Sequence, residues 1–312
     1  MGKVKFHFII ILYIIFFCVE FDFQGRVMSK IHKNLNTIAI TTRDPIEQKD
    51  ALLKIIKIIK SRSIDVIFES HVASSLGMQG YEFNELTKRT RVIISLGGDG
   101  NFIATCRRAA QSEAYIYGVH TGHLGFLTDS TLDGFGGFLD QFLAGIYDIE
   151  RPYMLRANFN KNGKITTKLA FNDIVLMRKK IDTTSHIDAF LNSKHFNSYF
   201  GDGVIISSAM GSTAYNMSAG GPIIHPLCDA YSVTPICSHS LTQRPLVLPK
   251  EFRLEFRSND DVVVLIDGQD RFDLIEFDSV DISVSDIRVN LLRHQGRDYF
   301  GVLKEKLRWG QQ

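Results

Sequence analysis

No cysteine pair stands at C-x-x-C spacing in this 312-residue chain, and none of Cys18, Cys106, Cys228 and Cys237 lies at zinc-finger distance from a histidine. A disulfide framework and a structural zinc site are therefore poor readings; buried thiols of a reducing compartment suit a chain this large. Basic tracts with interleaved aromatics are missing too. With 36 basic and 34 acidic residues the formal net charge is +2, so nothing calls for a nucleic-acid partner. There is no internal repeat and no low-complexity linker. An apolar run from Phe8 to Val19 follows Lys3 and Lys5 in the manner of a signal peptide, but no small-x-small cleavage site follows it. It also falls short of the about 20 residues a membrane helix needs. The favoured reading makes residues 1–35 an N-terminal extension with translation beginning at Met28 and the upstream stretch a mis-called start. A cytoplasmic protein with no membrane partner is then expected.

What is present is a two-part texture. The length suits two compact domains of roughly 150 residues each, and 45% hydrophobic with 22% charged residues is ordinary for a folded soluble protein. Thr37 to Thr41 is a short β-branched run, as a buried strand should be. Asp44-Pro45 predicts an N-cap with proline at the first helical position. Leu52, Ile55, Ile56 and Ile59 then recur at helical spacing. Ile64 to Phe68, Arg91 to Leu96 and Tyr115 to Val119 read as further strands, with a helix from Asn101 to Ala110. Such alternation implies βαβ units and a parallel sheet over residues 36–150. After Arg151 the pattern turns to β. Asn162-Gly163 is a hairpin signal, and Ala170 to Met177, Gly203 to Ser207, Val262 to Ile266 and Val280 to Val284 are short β-rich runs. Residues 151–290 thus form a second, mostly β domain. A segment over 291–312, helical from Asp298 to Trp309, packs back on the first domain.

Four segments carry candidate chemistry. Gly97-Gly98-Asp99-Gly100 lies between a strand and a helix, where glycines let backbone N–H groups approach phosphate and the helix N-terminus adds partial positive charge. Asp99 there is either an N-cap or a group that takes a proton from an attacking hydroxyl. Gly118 to Leu127 follows the next strand and so shares the carboxyl edge of the sheet, where ligands of open parallel sheets bind. Its His120 and His123 lack a third metal ligand, and Phe126 is better read as an apolar wall for a flat ring. Gly201-Asp202-Gly203 and Gly211 to Pro222 are rich in small and hydroxyl residues, poor core material but suited to a polar ligand lying on backbone. Asn172-Asp173 can grip two ribose hydroxyls; alone the pair says little. Asp267-Gly268-Gln269, taken alone, is a plain hairpin turn.

Together these segments resemble the NAD kinase family. The Gly97 loop, the Gly122-to-Leu127 loop, Phe171-Asn172-Asp173, the block from Gly201 to Pro226, Pro235 to Leu241 and Arg244 to Pro249 occur in the family's order over about residues 36 to 290. The block containing Gly211-Ser212-Thr213-Ala214-Tyr215 is specific, whereas the Gly97 loop is shared with phosphofructokinase-like and lipid kinases. The resemblance implies an α/β N-terminal domain on a Rossmann-like, phosphofructokinase-like parallel sheet. It also implies a mostly-β, β-sandwich-like C-terminal domain, with NAD held between the two. It makes Asp99 the catalytic residue with Gly100 beside the ligand. Asn172, Asp173, Asp202, Thr213, Ala214, Tyr215, Asn216, Met217 and Ser218 become NAD-binding positions, with Phe126 in the wall. His186 and Gln269 match further binding positions through loosely aligned segments.

The implied reaction moves the γ-phosphoryl of ATP to the 2′-hydroxyl of the adenosine ribose of NAD, giving NADP. No protein-only metal site is identified, so Mg²⁺ is expected to arrive with ATP. A homo-oligomer, dimer or tetramer, is a family expectation. Two departures stand out. Asn101 replaces the threonine of many relatives. Phe200 occupies a position where relatives often place a basic residue, which leaves the choice between NAD and NADH open.

Overall fold

The computed structural model describes residues 31–122 and 125–308, with the backbone of β1 (Glu20–Phe21) and β2 (Val27–Met28), a short antiparallel pair. The expectations placed on the run from Phe8 to Val19, on Ser29 and Lys30 beside the Met28 start, on His123 and Leu124 and on Trp309 lie outside the described residues.

In the first domain, period-two alternation decides which face of the sheet each apolar side chain takes. β3 (Thr37–Thr41), β4 (Asp65–Phe68), β5 (Val92–Leu96) and β6 (Tyr115–His120) run parallel in the order β4-β3-β5-β6. Ile38, Ile40, Ile94 and Tyr117 pack with Leu52, Ile55 and Ile59 of α1 (Lys49–Lys60). Ala39, Ile93 and Ile116 belong to a separate core on the other side. A short α2 (Ser70–Ser75) follows β4, and α3 (Phe83–Arg89) and α4 (Asp99–Ala109) bring Leu86, Phe102 and Cys106 to that second core. β7 (Ser130–Thr131) adds to β6. α5 (Phe135–Leu143) covers the α1 side, and β8 (Asp148–Glu150) ends the domain's own run. One boundary departs from expectation. Asp44 Oδ1 accepts the Glu47 N–H at 3.1 Å and its carbonyl accepts Gln48 N–H at 3.1 Å. Those bonds close a separate turn, so Pro45 precedes the helix, which is regular only from Lys49.

The second domain stacks two six-stranded antiparallel sheets. Its strands are β9 (Tyr153–Lys161), β10 (Lys164–Ala170), β11 (Asp173–Arg178), β12 (Ser185–Leu191), β13 (Lys194–Gly201), β14 (Gly203–Ser208), β15 (Ala230–Ile236), β16 (Leu246–Pro249), β17 (Arg253–Arg257), β18 (Val262–Ile266), β19 (Asp270–Asp273) and β20 (Ser279–Arg288). One sheet runs β10-β9-β20-β17-β12-β13, the other β16-β15-β14-β11-β18-β19. Leu155, Phe159, Phe256 and Ile282 of the first meet Ile174, Val204, Ile206 and Val264 of the second in one core. The β9–β10 hairpin turns at Asn162 (φ 51°) and Gly163 (φ 78°), both left-handed, as a two-residue type I′ turn demands. The run expected as one strand from Ala170 to Met177 is split: Ala170 ends β10 and β11 begins at Asp173. A carboxylate described below captures the amides between them. The expectation of buried thiols holds for Cys106 alone among the described cysteines; Cys228 and Cys237 are exposed. Cys237 follows β15 at φ 45°, where the chain leaves the sheet.

The chain then returns. β21 (Asn290–Arg293) enters the first sheet parallel to β6 and antiparallel to β8, and α7 (Tyr299–Leu307) follows. The side chain of Arg293 is buried, its Nη1 3.1 Å from Asp129 Oδ1 and its Nε 2.7 Å from Glu150 Oε2, while Arg297 Nε lies 2.9 Å from Asp129. Met154, Phe171 and Met210 of the second domain pack into the α4 side of the first, with Phe171 edge-on to Phe102 at 6.2 Å between ring centroids. That shared core sets the two domains against each other. Because Asp129 and Glu150 face Arg293 away from water, Arg293→Met leaves carboxylates buried without their main partner. It is expected to cost about 3–5 kcal/mol of stability at pH 7, read from urea unfolding.

Candidate active site

The site grows from the turn after β5. The Gly97 N–H is held by the Val119 carbonyl at 2.9 Å, which ties the ends of β5 and β6 together. α4 begins at Asp99, so its free N–H groups open beside the glycines. Asn101 fastens the turn from behind, its Nδ2 donating to Ser95 Oγ at 2.8 Å and to the Leu96 carbonyl at 3.2 Å. The asparagine thus serves as a brace.

Asp99 is half-exposed, and its carboxylate is gripped by the next loop. Oδ2 accepts the Phe126 N–H at 2.9 Å and Oδ1 the Leu127 N–H at 3.4 Å. A side chain at residue 125 would have its Cβ 2.0 Å from Asp99 Oδ1, so only glycine lets the loop come this close. The loop is in turn held by the C-terminal segment: Arg293 Nη1 donates to the Leu127 carbonyl at 2.6 Å and Arg297 Nη2 to the Phe126 carbonyl at 2.7 Å. A carboxylate offers about four lone-pair directions. Two are filled by the loop, which fixes the group and leaves the rest for a ligand.

The second domain meets this turn through β10, β11 and the β18–β19 hairpin. Gln269 Nε2 donates to the Gly100 carbonyl at 3.3 Å, while its Oε1 accepts Arg107 Nη1 at 3.1 Å. Two residues earlier stands Asp267, whose side chain is wholly buried. Its carboxylate accepts the N–H groups of Phe171 at 2.7 Å, Asn172 at 2.7 Å and Asp173 at 3.0 Å, and lies 3.3 Å from Arg107 Nε. This is what breaks the expected strand at Ala170 and presents Asn172-Asp173 at the cleft. Gly211 backs the same place: a Cβ there would lie 2.2 Å from the Asn172 carbonyl oxygen. The plain-turn reading of Asp267 missed this role. Its signal was faint: an acid in a turn straight after an unbroken apolar strand.

The Asn172 amide oxygen is buried and unpartnered among the described residues. Burial, reinforced by the Asp267 charge, pushes the Asp173 carboxyl up to about 7. Tyr215 is 42% exposed. Its phenol is raised by burial and further by the charges of Cys237, Asp202 and Asp173. Asp202 sits between β13 and β14, its Oδ1 2.9 Å from Arg178 Nε. Thr213 is buried, Ala214 and Met217 half-buried and Ser218 exposed. Asn216 does something different from what its neighbours suggest. Fully buried, it donates to the Ser212 and Pro222 carbonyls at 3.1 and 3.0 Å and accepts from Ser232 and Thr234 at 3.0 and 2.7 Å. Its side chain is used up within the fold and shapes the loop. His186 stands on β12 in the other sheet, stacked on Phe200 at 4.2 Å with Nε2 3.1 Å from Asp188. The structure therefore joins Asp99, Gly100, Phe126 and Gln269 at the domain junction.

Asp173 has a measurable consequence. Its folded-state pKa of about 7 exceeds the unfolded value of about 3.9. The native state therefore holds a proton the unfolded chain releases, and stability contributed by this group falls as pH rises from about 4 to about 7. Urea midpoints across that window should decline in the parent and decline less in Asp173→Asn; parallel curves would sink the assignment.

The two halves of the chain match two domain families: residues 38–147 the ATP-NAD kinase N-terminal domain and residues 171–294 the ATP-NAD kinase C-terminal domain. An NAD kinase of Campylobacter jejuni is 42% identical over 280 residues, covering 89% of this chain and 98% of that relative. One of Sulfurimonas denitrificans is 41% identical over 264 residues, covering 84% and 93%. A yeast NADH kinase complexed with NADH superposes with a TM-score of 0.82 at 22% identity, over 89% of each chain. An Archaeoglobus fulgidus NAD kinase in complex with ATP does so at 0.71 and 22%, over 87% and 98%. With both halves matched, and relatives above 40% identity along most of its length, the chain belongs to the NAD kinase family.

Proposed function

We propose that the chain phosphorylates NAD to NADP, moving the γ-phosphoryl of ATP to the 2′-hydroxyl of the adenosine ribose. The observation that carries the reading is the meeting of an anion-tolerant turn with a ribose-gripping pair across one domain junction. The Gly97–Gly100 turn and the N-terminus of α4 belong to the first domain, Asn172-Asp173 to the second, and Gln269 bonds one to the other at Gly100. In this reading the ribose hydroxyls bond the free Asn172 amide oxygen and the Asp173 carboxyl. Tyr215 and Phe126 flank the rings, and Thr213, Ala214, Met217 and Ser218 line the path. Asn216 acts by holding that path in shape. Asp202 and His186, with Phe200 stacked on the latter, meet the far part of the dinucleotide.

Asp99 accepts the proton of the 2′-hydroxyl as its oxygen bonds the γ-phosphorus and the bond to the β-phosphate oxygen breaks, releasing ADP. Such transition states are loose, so alignment and charge compensation matter more than covalent assistance. The magnesium of this step comes in with the nucleotide as part of the substrate. Among the described residues no group of three or more His, Cys, Asp or Glu side chains is placed to hold a metal. Three free thiols among the described residues agree with a reducing compartment, which in this reading is the cytoplasm. Among the described residues no helix is long and apolar enough to cross a membrane. Exposed Leu246 and Val247 on the edge strand β16 agree with self-association into a dimer or tetramer.

Asp99→Asn keeps the shape and, through its amide oxygen, the shorter contact with the Phe126 N–H, but removes the base and gives up the long contact with the Leu127 N–H. NAD affinity by calorimetry should change less than about threefold while kcat for NADP formation drops by about 10²–10⁴. Turnover within a factor of two of the parent would refute the role of Asp99.

A further inference from the structure

A groove of about 690 Å³ runs along α4 between α3 and the second domain. Its lining includes Gln269, Arg107, Arg108, Lys88, Lys168 and Asp270. That is a volume suited to a nucleotide-sized ligand, and nothing above assigns it a use beyond Gln269. Four of the six residues are cations and one is an acid.

Their partners differ in a way that matters. Arg107 is fixed, its Nη2 2.5 Å from Asp270 and its Nε 3.2 Å from the Leu169 carbonyl. Arg108 pairs with the buried Glu69 and lies 3.9 Å over the Phe83 ring. Lys88 is exposed and has no carboxylate partner among the described residues; Lys168 likewise has none and stands 5.4 Å over the Phe272 ring. Two guanidiniums are thus held in place while two ammonium groups remain uncompensated. The last turn of α4, with its free carbonyls, would by itself repel an anion, and there Arg107 and Arg108 sit.

The groove also has a defined end. Gln269 lines it and bonds the Gly100 carbonyl, one residue from Asp99. At a rise of about 1.5 Å per residue, Gly100 to Arg108 spans about 12 Å. A donor whose terminal phosphoryl lies at the Gly97–Gly100 turn must lead its remaining phosphates away from the acceptor. The geometry points to this groove as the channel for that remainder: an extended phosphate chain, from a nucleoside triphosphate or inorganic polyphosphate, met by Lys88 and Lys168 and by the two fixed arginines. The inference rests on the proposed phosphotransfer at Asp99.

The test uses Lys88→Ala, Lys168→Ala and the double variant, all at surface lysines outside the packed cores. KM is measured for Mg-ATP and for magnesium tripolyphosphate, with NAD saturating, and KM for NAD separately. Each single variant should raise a donor KM by about three- to tenfold, the effect of one charge-assisted phosphate contact, and the double variant by more. The KM for NAD and kcat should stay within twofold. A rise with both donors identifies a channel for either chain; a rise with tripolyphosphate alone identifies a polyphosphate channel. Donor constants unchanged in the double variant overturn the proposal. If the parent makes no NADP from any donor, the function is wrong and the groove is judged by calorimetry. Tripolyphosphate binding at least threefold weaker in the double variant then still supports an anion channel, and equal binding or none in the parent sinks it.

Discussion

A buried carboxylate with four donors aimed at it holds this structure's working parts in relation. Asp267 takes three consecutive N–H groups, from Phe171, Asn172 and Asp173, and faces Arg107 from the other domain at 3.3 Å. Stranding those amides or that acid in an apolar junction would be costly, since each buried polar group needs its partner. The arrangement bends the chain out of the β10–β11 line, turns Asn172 and Asp173 to the cleft, and bolts α4 to the β18–β19 hairpin. Gln269, two residues along the same turn, then reaches Gly100. One acid thereby fixes where the second domain's ligand-facing residues stand relative to Asp99.

The other half of the site is held from the opposite end of the chain. Arg293 and Arg297 bind the carbonyls of residues 127 and 126, and the N–H groups of those same residues bind Asp99. The segment that crosses back into the first sheet as β21 therefore does more than complete a sheet. It carries two cations to a loop that would otherwise have only its own backbone to steady it. Around Asp129 and Glu150 these cations form a buried network, in which removing one member exposes the cost of burying the rest.

Electrostatics in the cleft follow from the same crowding. Asp173 and Asp267 are buried close together, so their charges oppose each other, and Asp173 shifts to about 7 while Arg107 and the three amides stay with Asp267. A carboxyl in that state can either donate to or accept from a ribose hydroxyl near neutral pH.

Much of this was legible in the residues taken in order. Short apolar, β-branched runs gave the parallel strands, Asn162-Gly163 gave its hairpin, and the glycines around Asp99 marked the turn before α4. Those signals are local: backbone dihedrals and side-chain periodicity are set within a few residues. The turn at Asp44-Pro45 was misplaced as a helix start because the residue pattern of a turn and of an N-cap are alike. Asn216 was taken with the ligand-facing residues because its composition matches theirs; only packing against Ser232 and Thr234 turned its amide inward. Asp267, Arg107, Arg293 and Arg297 carry no such local mark. Their partners lie between 62 and 171 residues away in sequence. The sequence by itself determined which elements form and which residue types could carry phosphotransfer. Tertiary structure alone decided which acid is buried, which cation meets it and which amide is left free, because those depend on long-range pairing and on exclusion of water.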